Sequence, residues 1–353
     1  MKNKIITITF ISYLILFGIL TIIIPDETIS KSERRQLATF PNFELTSNYI
    51  TKIDKYLLDH FPFRDDFRSI KANFNYKLLN KLDNNNIYLK DNYIYKSNYP
   101  TNKESINNFI KKTTKLSNSF TNNNIYLMII PDKNYYLKDD NFLHIDYDYI
   151  YKELENLNYH TIDIRNILNL SDYYETDTHW KQENLSKVIK TMNNTMNFNY
   201  YPIYYHENTY DKFYGVYYGE SAINREPEQL TYLTNEILDR VEVTYLENSN
   251  LNSIYNLDKL DNLDAYEVYL DGASSFIELT NNITPNNKEL IIFRDSFASS
   301  LIPLLIPYYH KITLIDNRYI TSDNYQKLIE INNQDILFMY STLLINNSST
   351  LKG

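Results

Sequence analysis

Two short stretches combine residue types that can do acyl chemistry. The first is Thr176-Asp177-Thr178-His179-Trp180. In extended backbone, residues two apart project to the same side, so Asp177 and His179 are expected to point together into a cleft. A carboxylate beside an imidazole fixes its tautomer and stabilises its cation, which is what a general base requires. The same residues also read as a loop histidine beside a helix-capping Asp or Thr, because a helical pattern begins at Lys181. The second stretch is Leu290-Ile291-Ile292-Phe293-Arg294-Asp295-Ser296-Phe297. A buried strand is expected to end at Phe293, and an apolar helical segment follows Ser296. That sets a serine on a strand-to-helix turn, beside backbone N–H groups of the kind that hold an oxyanion in acyl transfer. The plainer role of such a serine is to cap the helix. If residues 177–179 meet Ser296 across a sheet, a nucleophile, a base and an orienting carboxylate come together. No HxxxH or HxH accompanies His179, so a metal is not expected, and neither is a cofactor.

These residues need a frame. Residues 125–130, 290–293, 312–315 and 336–339 are continuous apolar runs, the pattern of strands buried on both faces. Residues 161–164 add a fifth strand. Helical spacing occupies 105–120, 147–157 and 181–196 between them. Strands alternating with helices predict an α/β fold with a parallel sheet flanked by helices, and open sheets of this kind carry their sites at element ends. Residues 198–288 break the alternation with Tyr-rich, partly period-2 stretches, which predicts a β-containing insertion. Upstream, 49–82 has helical apolar spacing interrupted by Pro62, so two helices are expected with a turn at 60–64. Residues 87–89 and 93–95 read as a short hairpin about Asp91-Asn92.

The amino terminus gives the address. Residues 5–24 carry no charge, and at about 1.5 Å per residue they span roughly 30 Å, the thickness of a bilayer core. Lys2 and Lys4 precede this run, and Pro25, Asp26 and Glu27 follow it. No small-x-small cleavage signal ends it, so an uncleaved single-pass anchor is expected, with residues 26–353 outside the membrane. The predicted organisation is an anchor at 1–25, a linker at 26–48 and an α/β domain at 49–353. That domain begins with a helical segment (49–100) and carries the insertion at about 198–288.

Composition narrows the partners. Thirty-five Lys and Arg against 44 Asp and Glu leave a net charge of −9, which disfavours nucleic acid, since that partner needs a basic footprint. The absence of Cys excludes disulfides, thiolate metal sites and Cys nucleophiles. Tyrosine is abundant, at 35 residues, which reflects either AT-rich coding or a surface for stacking on sugars.

In order along the chain, the motifs resemble the DHHW family and the related alginate O-acetyltransferase proteins, which carry an SGNH-hydrolase-like domain. Asp177-Thr178-His179-Trp180 and Arg294-Asp295-Ser296-Phe297 carry the resemblance. Ser32-Glu33-Arg34-Arg35 through Pro41, Asp59-His60-Phe61-Pro62-Phe63-Arg64-Asp65, Pro131-Asp132-Lys133, Phe213-Tyr214-Gly215 and Ile315-Asp316-Asn317-Arg318-Tyr319 support it. The resemblance covers about residues 30–340. It implies Ser296 as nucleophile, His179 as general base and Asp177 as its orienter, in an extracytoplasmic bacterial domain acting on a cell-surface polysaccharide. A membrane-bound O-acyltransferase is implied as the source of the acyl group. Trp180, Lys133, Tyr214, Arg318 and Arg294 are the expected substrate-binding residues. Arg294 stands where SGNH proteins have Gly, so it either crowds the oxyanion region or adds a positive charge there. The competing expectation is a non-catalytic protein of the cell envelope that binds glycan or organises an assembly. The two separate on one distance, that between Ser296 Oγ and the His179 ring.

Overall fold

The computed structural model describes residues 2–120, 122–138 and 142–352. The chain divides into two compact units, Met1–Leu89 with Val216–Glu226, and Lys90–Gly215 with Pro227–Gly353.

In the larger unit a seven-stranded sheet forms the centre. Its strands in chain order are β1 (Ile125–Ile130), β2 (His160–Ile162), β3 (Glu242–Tyr245), β4 (Phe276–Thr280), β5 (Glu289–Arg294), β6 (Lys311–Ile315) and β7 (Asp335–Ser341). Their spatial order is β3-β4-β6-β5-β7-β1-β2. The run from β6 to β2 is parallel, while β3 and β4 extend it antiparallel at one edge. The period-2 stretch near Val243 therefore belongs to the main sheet. The rest of that region includes an antiparallel ribbon, His206–Phe213 with Glu228–Thr234.

The continuous apolar runs are explained by cover on both faces. Along β1, Met128 and Ile130 enter one core with Ile292 and Met339, while Leu127 and Ile129 enter the other with Ile291, Phe293 and Phe338. α6 (Ser186–Met196) closes the first core through Val188, Ile189 and Met192. α4 (Lys103–Ser117) and α5 (Tyr147–Glu155) close the second through Ile106, Phe109, Ile150 and Leu154. Local signals start these helices: the Asn102 side chain accepts from Ser105 N–H, and that of Asp146 from Tyr149 N–H. Asn197, at φ 48°, ends α6 in the left-handed region.

The smaller unit holds α1 (Lys2–Ile23), α2 (Ser47–Asp59) and α3 (Arg64–Asn73), which runs on through a single π-helical stretch, Phe74–Leu78. α1 is long and apolar enough to cross a membrane. Residues 26–48, expected to be a plain linker, contain a tight antiparallel pair, Ile29–Ser30 with Arg35–Gln36. Strands this short leave no periodic trace in sequence. Crossed ion pairs hold the pair in place. Arg35 grips the Asp59 carboxylate with both arms, at 3.0 and 2.5 Å, and Glu33 takes Arg64 at 2.5 Å and Arg68 at 3.2 Å. The Ser-Glu-Arg-Arg and Asp-His-Phe-Pro-Phe-Arg motifs are thus two halves of one clasp. His60 caps the end of α2, and its Nε2 bonds Ala38 O at 2.8 Å.

Candidate active site

Every parallel strand delivers its carboxyl end to one edge of the sheet. The chain leaves β1 toward β2 on one side and β5 toward β6 on the other, so the ends of β1, β7 and β5 border the crevice that open α/β sheets use. Ser296 follows β5 there.

The turn at Ser296 is built by its neighbour. Asp295 is buried; its carboxylate accepts from Phe297 N–H at 3.1 Å and, across to the end of β7, from Ser341 N–H at 2.7 Å. α7 (Ala298–Leu305) starts directly afterwards, with no side-chain cap. The Ser296 hydroxyl is therefore not a capping group, and it turns toward His179. Ser296 is the half-buried residue in a run that is otherwise buried.

His179 lies between its two partners. Its Nε2 is 2.8 Å from Ser296 Oγ, and its Nδ1 is 2.6 Å from Asp177 Oδ1. With the Nδ1 proton facing the carboxylate, Nε2 is free to accept from the serine hydroxyl. Asp177 reaches the ring through a turn and not through extended backbone: the same Oδ1 also accepts His179 N–H at 3.0 Å. The loop is pinned at its base, where Tyr173 bridges Trp180 and Tyr174 N–H donates to His179 O at 3.1 Å.

A buried lysine and a half-buried glutamate set the shape of this loop. The Lys133 ammonium donates to the carbonyls of Tyr174, Glu175 and Asp177 at 3.1, 3.0 and 2.6 Å. From the other side the Glu228 carboxylate accepts from Glu175 N–H at 2.6 Å and Thr176 N–H at 2.7 Å. The backbone dipoles of one loop are held at both ends by opposite charges. Gly215 completes the cradle. Its N–H donates to Thr176 Oγ1 at 2.9 Å, and a Cβ there would stand 2.3 Å from Asp177 N. The Phe213-Tyr214-Gly215 motif is accounted for by this close approach, and Tyr214 itself is half-buried.

Aromatic rings orient the imidazole. Tyr266 stacks face to face on His179, centroids 3.9 Å apart and planes 7° from parallel, and Phe297 packs at 4.9 Å. The stack holds the ring in one orientation between its two hydrogen-bond partners. The Tyr266 hydroxyl shares a 2.8 Å bond with Ser300 Oγ, which also takes Trp180 Nε1 at 2.9 Å. Burial pushes the Tyr266 phenol well above its ordinary value and keeps it protonated.

Several expected substrate contacts are corrected by this geometry. Trp180 is fully buried and its indole N–H is bonded within the fold. Lys133 is 1% exposed and directs its donors at the Asp177 loop. Arg294 faces away from the serine, donating to Ser299 Oγ at 2.7 Å and Ser274 O at 3.1 Å; burial pulls its pKa down. Arg318 forms a two-point pair with Asp316 at 2.9 and 2.6 Å. Trp180, Lys133 and Arg294 are buried within the fold, and Arg318, half-buried, is paired with Asp316. Sequence reading missed Tyr266 and Glu228, because an aromatic and a carboxylate far along the chain carry no local signal of their partner. A groove bounded by Asn124, Asn287, Asn332 and Asp335 lies at the opposite, amino-terminal edge of the strands. Among the described residues no group of three His, Cys, Asp or Glu side chains could hold a metal ion.

No protein-family model matches the chain, and no curated protein matches it by sequence. Solved structures do match. A DHHW family protein from Eubacterium siraeum aligns with a TM-score of 0.64 at 18% identity, covering 77% of this chain and 97% of that one. PatB1 of Bacillus cereus, solved with a sulfonyl adduct, aligns with a TM-score of 0.60 at 19% identity, covering 73% of this chain and 95% of that one. The chain shares the fold of these two proteins. The O-acetyltransferase domain of Pseudomonas putida AlgJ aligns with a TM-score of 0.45 at 9% identity, over 74% of this chain and 92% of that one.

Proposed function

We propose that this chain is a membrane-anchored, extracytoplasmic serine O-acyltransferase or esterase acting on a cell-surface polysaccharide. The observation that carries the reading is the continuous Ser296–His179–Asp177 hydrogen-bond chain, at 2.8 and 2.6 Å. A glycan-binding protein has no need of it. In this reading His179 Nε2 takes the hydroxyl proton as Ser296 Oγ attacks the donor carbonyl. Asp177 stabilises the imidazolium, and the Ser296 N–H at the start of α7 meets the developing oxyanion. The imidazolium returns the proton to the leaving group and an acyl-serine remains. An acceptor hydroxyl, on a sugar or on water, then gives its proton to Nε2 and attacks the ester, and Ser296 leaves as the free alcohol. A membrane-bound O-acyltransferase would hand over the acyl group. Anchoring by α1, with the site outside the membrane, fits such a surface substrate.

A protein of the same fold, PatB1, has been solved with a sulfonyl adduct, so a sulfonyl fluoride is the first probe. The detergent-solubilised full chain should gain one sulfonyl group by intact mass, mapped to Ser296, and should turn over an aryl acetate. Ser296→Ala and His179→Ala should lose both labelling and turnover, by orders of magnitude in rate. A wild-type chain that neither labels nor turns over, or variants that match it, would remove the catalytic assignment.

A further inference from the structure

The smaller unit wears its helices inside out. In α3 the side facing the fold is charged or small. Arg64 and Arg68 bind Glu33, Arg68 also donates to Gly219 O at 2.9 Å, and Ala72 is buried. The side facing out is apolar: Phe63, Phe67, Ile70, Phe74 and Leu78 are exposed, Ile70 by 64% and Leu78 by 66%. Leu57 and Leu58 at the end of α2 are exposed too, while Asp59 is buried. A contiguous apolar face of this kind marks an interaction surface.

A second observation identifies what covers it. Phe17 of α1 stacks on Phe61, centroids 5.2 Å apart and planes 10° from parallel, and packs on Phe67 at 5.9 Å. Phe17 lies six residues before the end of α1 at Ile23, a rise of about 9 Å along the helix. When α1 spans a bilayer with Ile23 near its surface, whatever touches Phe17 lies below that surface. Phe61 and Phe67 are therefore carried into the acyl region. The outward face that continues from them meets the same leaflet, at about the 5–10 Å depth that interfacial helices reach. Lys71 and Lys77 are exposed beside this face, and long basic side chains of this kind reach headgroup phosphates.

We propose that α3 and its π-helical extension, with Phe61 and Phe63, lie in the membrane interface as a second, monotopic attachment beside the spanning helix. The proposal rests on α1 being a membrane anchor. It makes the protein a two-point membrane protein instead of a domain on a single tether.

The sequence supplies a clean test, because the chain has no Cys. Single-cysteine variants of the full chain, Leu14→Cys, Asp65→Cys, Ile70→Cys and Leu78→Cys, take an environment-sensitive fluorophore. They are reconstituted into phosphatidylcholine–phosphatidylglycerol vesicles with plain or brominated acyl chains. Labels at 14, 70 and 78 should be blue-shifted and quenched by brominated lipid at least about twofold more than the label at 65, which sits on the charged side. If 14 is quenched but 70 and 78 behave like 65 and yield to aqueous iodide, the interfacial attachment is wrong while the anchor stands. The face would then belong to water or to a protein partner. If 14 itself is not quenched, the anchor reading fails and the attachment falls with it.

Discussion

Replacing Lys133 with methionine tests whether a buried ammonium shapes the candidate catalytic loop. Methionine is similar in length and brings no donor. The carbonyls of Tyr174, Glu175 and Asp177 would each lose a charge-assisted bond now made at 3.1, 3.0 and 2.6 Å. At about 1.5–3 kcal/mol apiece, the gross loss is about 5–9 kcal/mol. Removing a buried charge relieves a desolvation cost of several kcal/mol, which leaves a net destabilisation of about 2–4 kcal/mol. For a chain of this size that lowers Tm by roughly 3–5 °C. Asp177 moves with its own carbonyl, and a displacement near 1 Å costs up to about 100-fold in rate. Lys133→Arg should not rescue, because a planar fork cannot meet three carbonyls that converge on one point. The assay is thermal unfolding alongside kcat and KM on a neutral aryl acetate. A raised KM with kcat and Tm unchanged would refute the reasoning and return Lys133 to substrate binding. So would a variant indistinguishable from wild type.

Gly215→Ala places a Cβ 2.3 Å from Asp177 N and from Thr176 backbone atoms; ester turnover should fall by about tenfold or more as the loop is displaced, with circular dichroism confirming a folded chain. Tyr266→Phe keeps the stack on His179 and should stay within about threefold of wild type. Tyr266→Leu removes the aromatic face that orients the ring and should lower kcat by about tenfold. The Arg35 hydrogen bond holds Asp59 down to about 2 from an ordinary value of 3.8. The native state then binds fewer protons than the unfolded chain between those values, so this group's stabilisation is complete above the unfolded pKa and is lost as pH falls through about 2. Asp59→Asn should flatten that acid limb in unfolding curves recorded from pH 5 to 2; an unchanged limb would place the effect elsewhere.

Much of the larger unit was legible because burial on two faces writes itself into sequence. The run Ile125 to Ile130 and the run about Ile292, short and bounded by Asn, Pro and Asp, fit inner strands. The three residues of the candidate site stood out for a different reason: serine, histidine and aspartate are the types that the chemistry needs, and each stood at an element boundary. What surrounds them was not legible. Lys133 reaches backbone 41 to 44 positions away, and Glu228 holds Thr176 from 52 positions away. No local pattern encodes such a pairing. Trp180 and Arg294 were read as substrate contacts because residue type suggests recognition, whereas exposure is decided by packing. The clasp joining Glu33 and Arg35 to Arg64 and Asp59 was hidden for the same reason, behind strands of two residues.

The order of strands in space has a consequence for how the molecule is made. β7, near the carboxyl end, lies between β1 and β5. Until it is inserted, β2-β1 and β5-β6-β4-β3 are two separate half-sheets, each with a raw edge where the seam will be. Their joining must wait for synthesis to pass residue 341. Until β7 arrives, folding depends on holding two sticky edges apart. Shortening the carboxyl end past β7 would remove the seam itself. The same seam positions Asp295 through Ser341, so the site is finished only when the fold is.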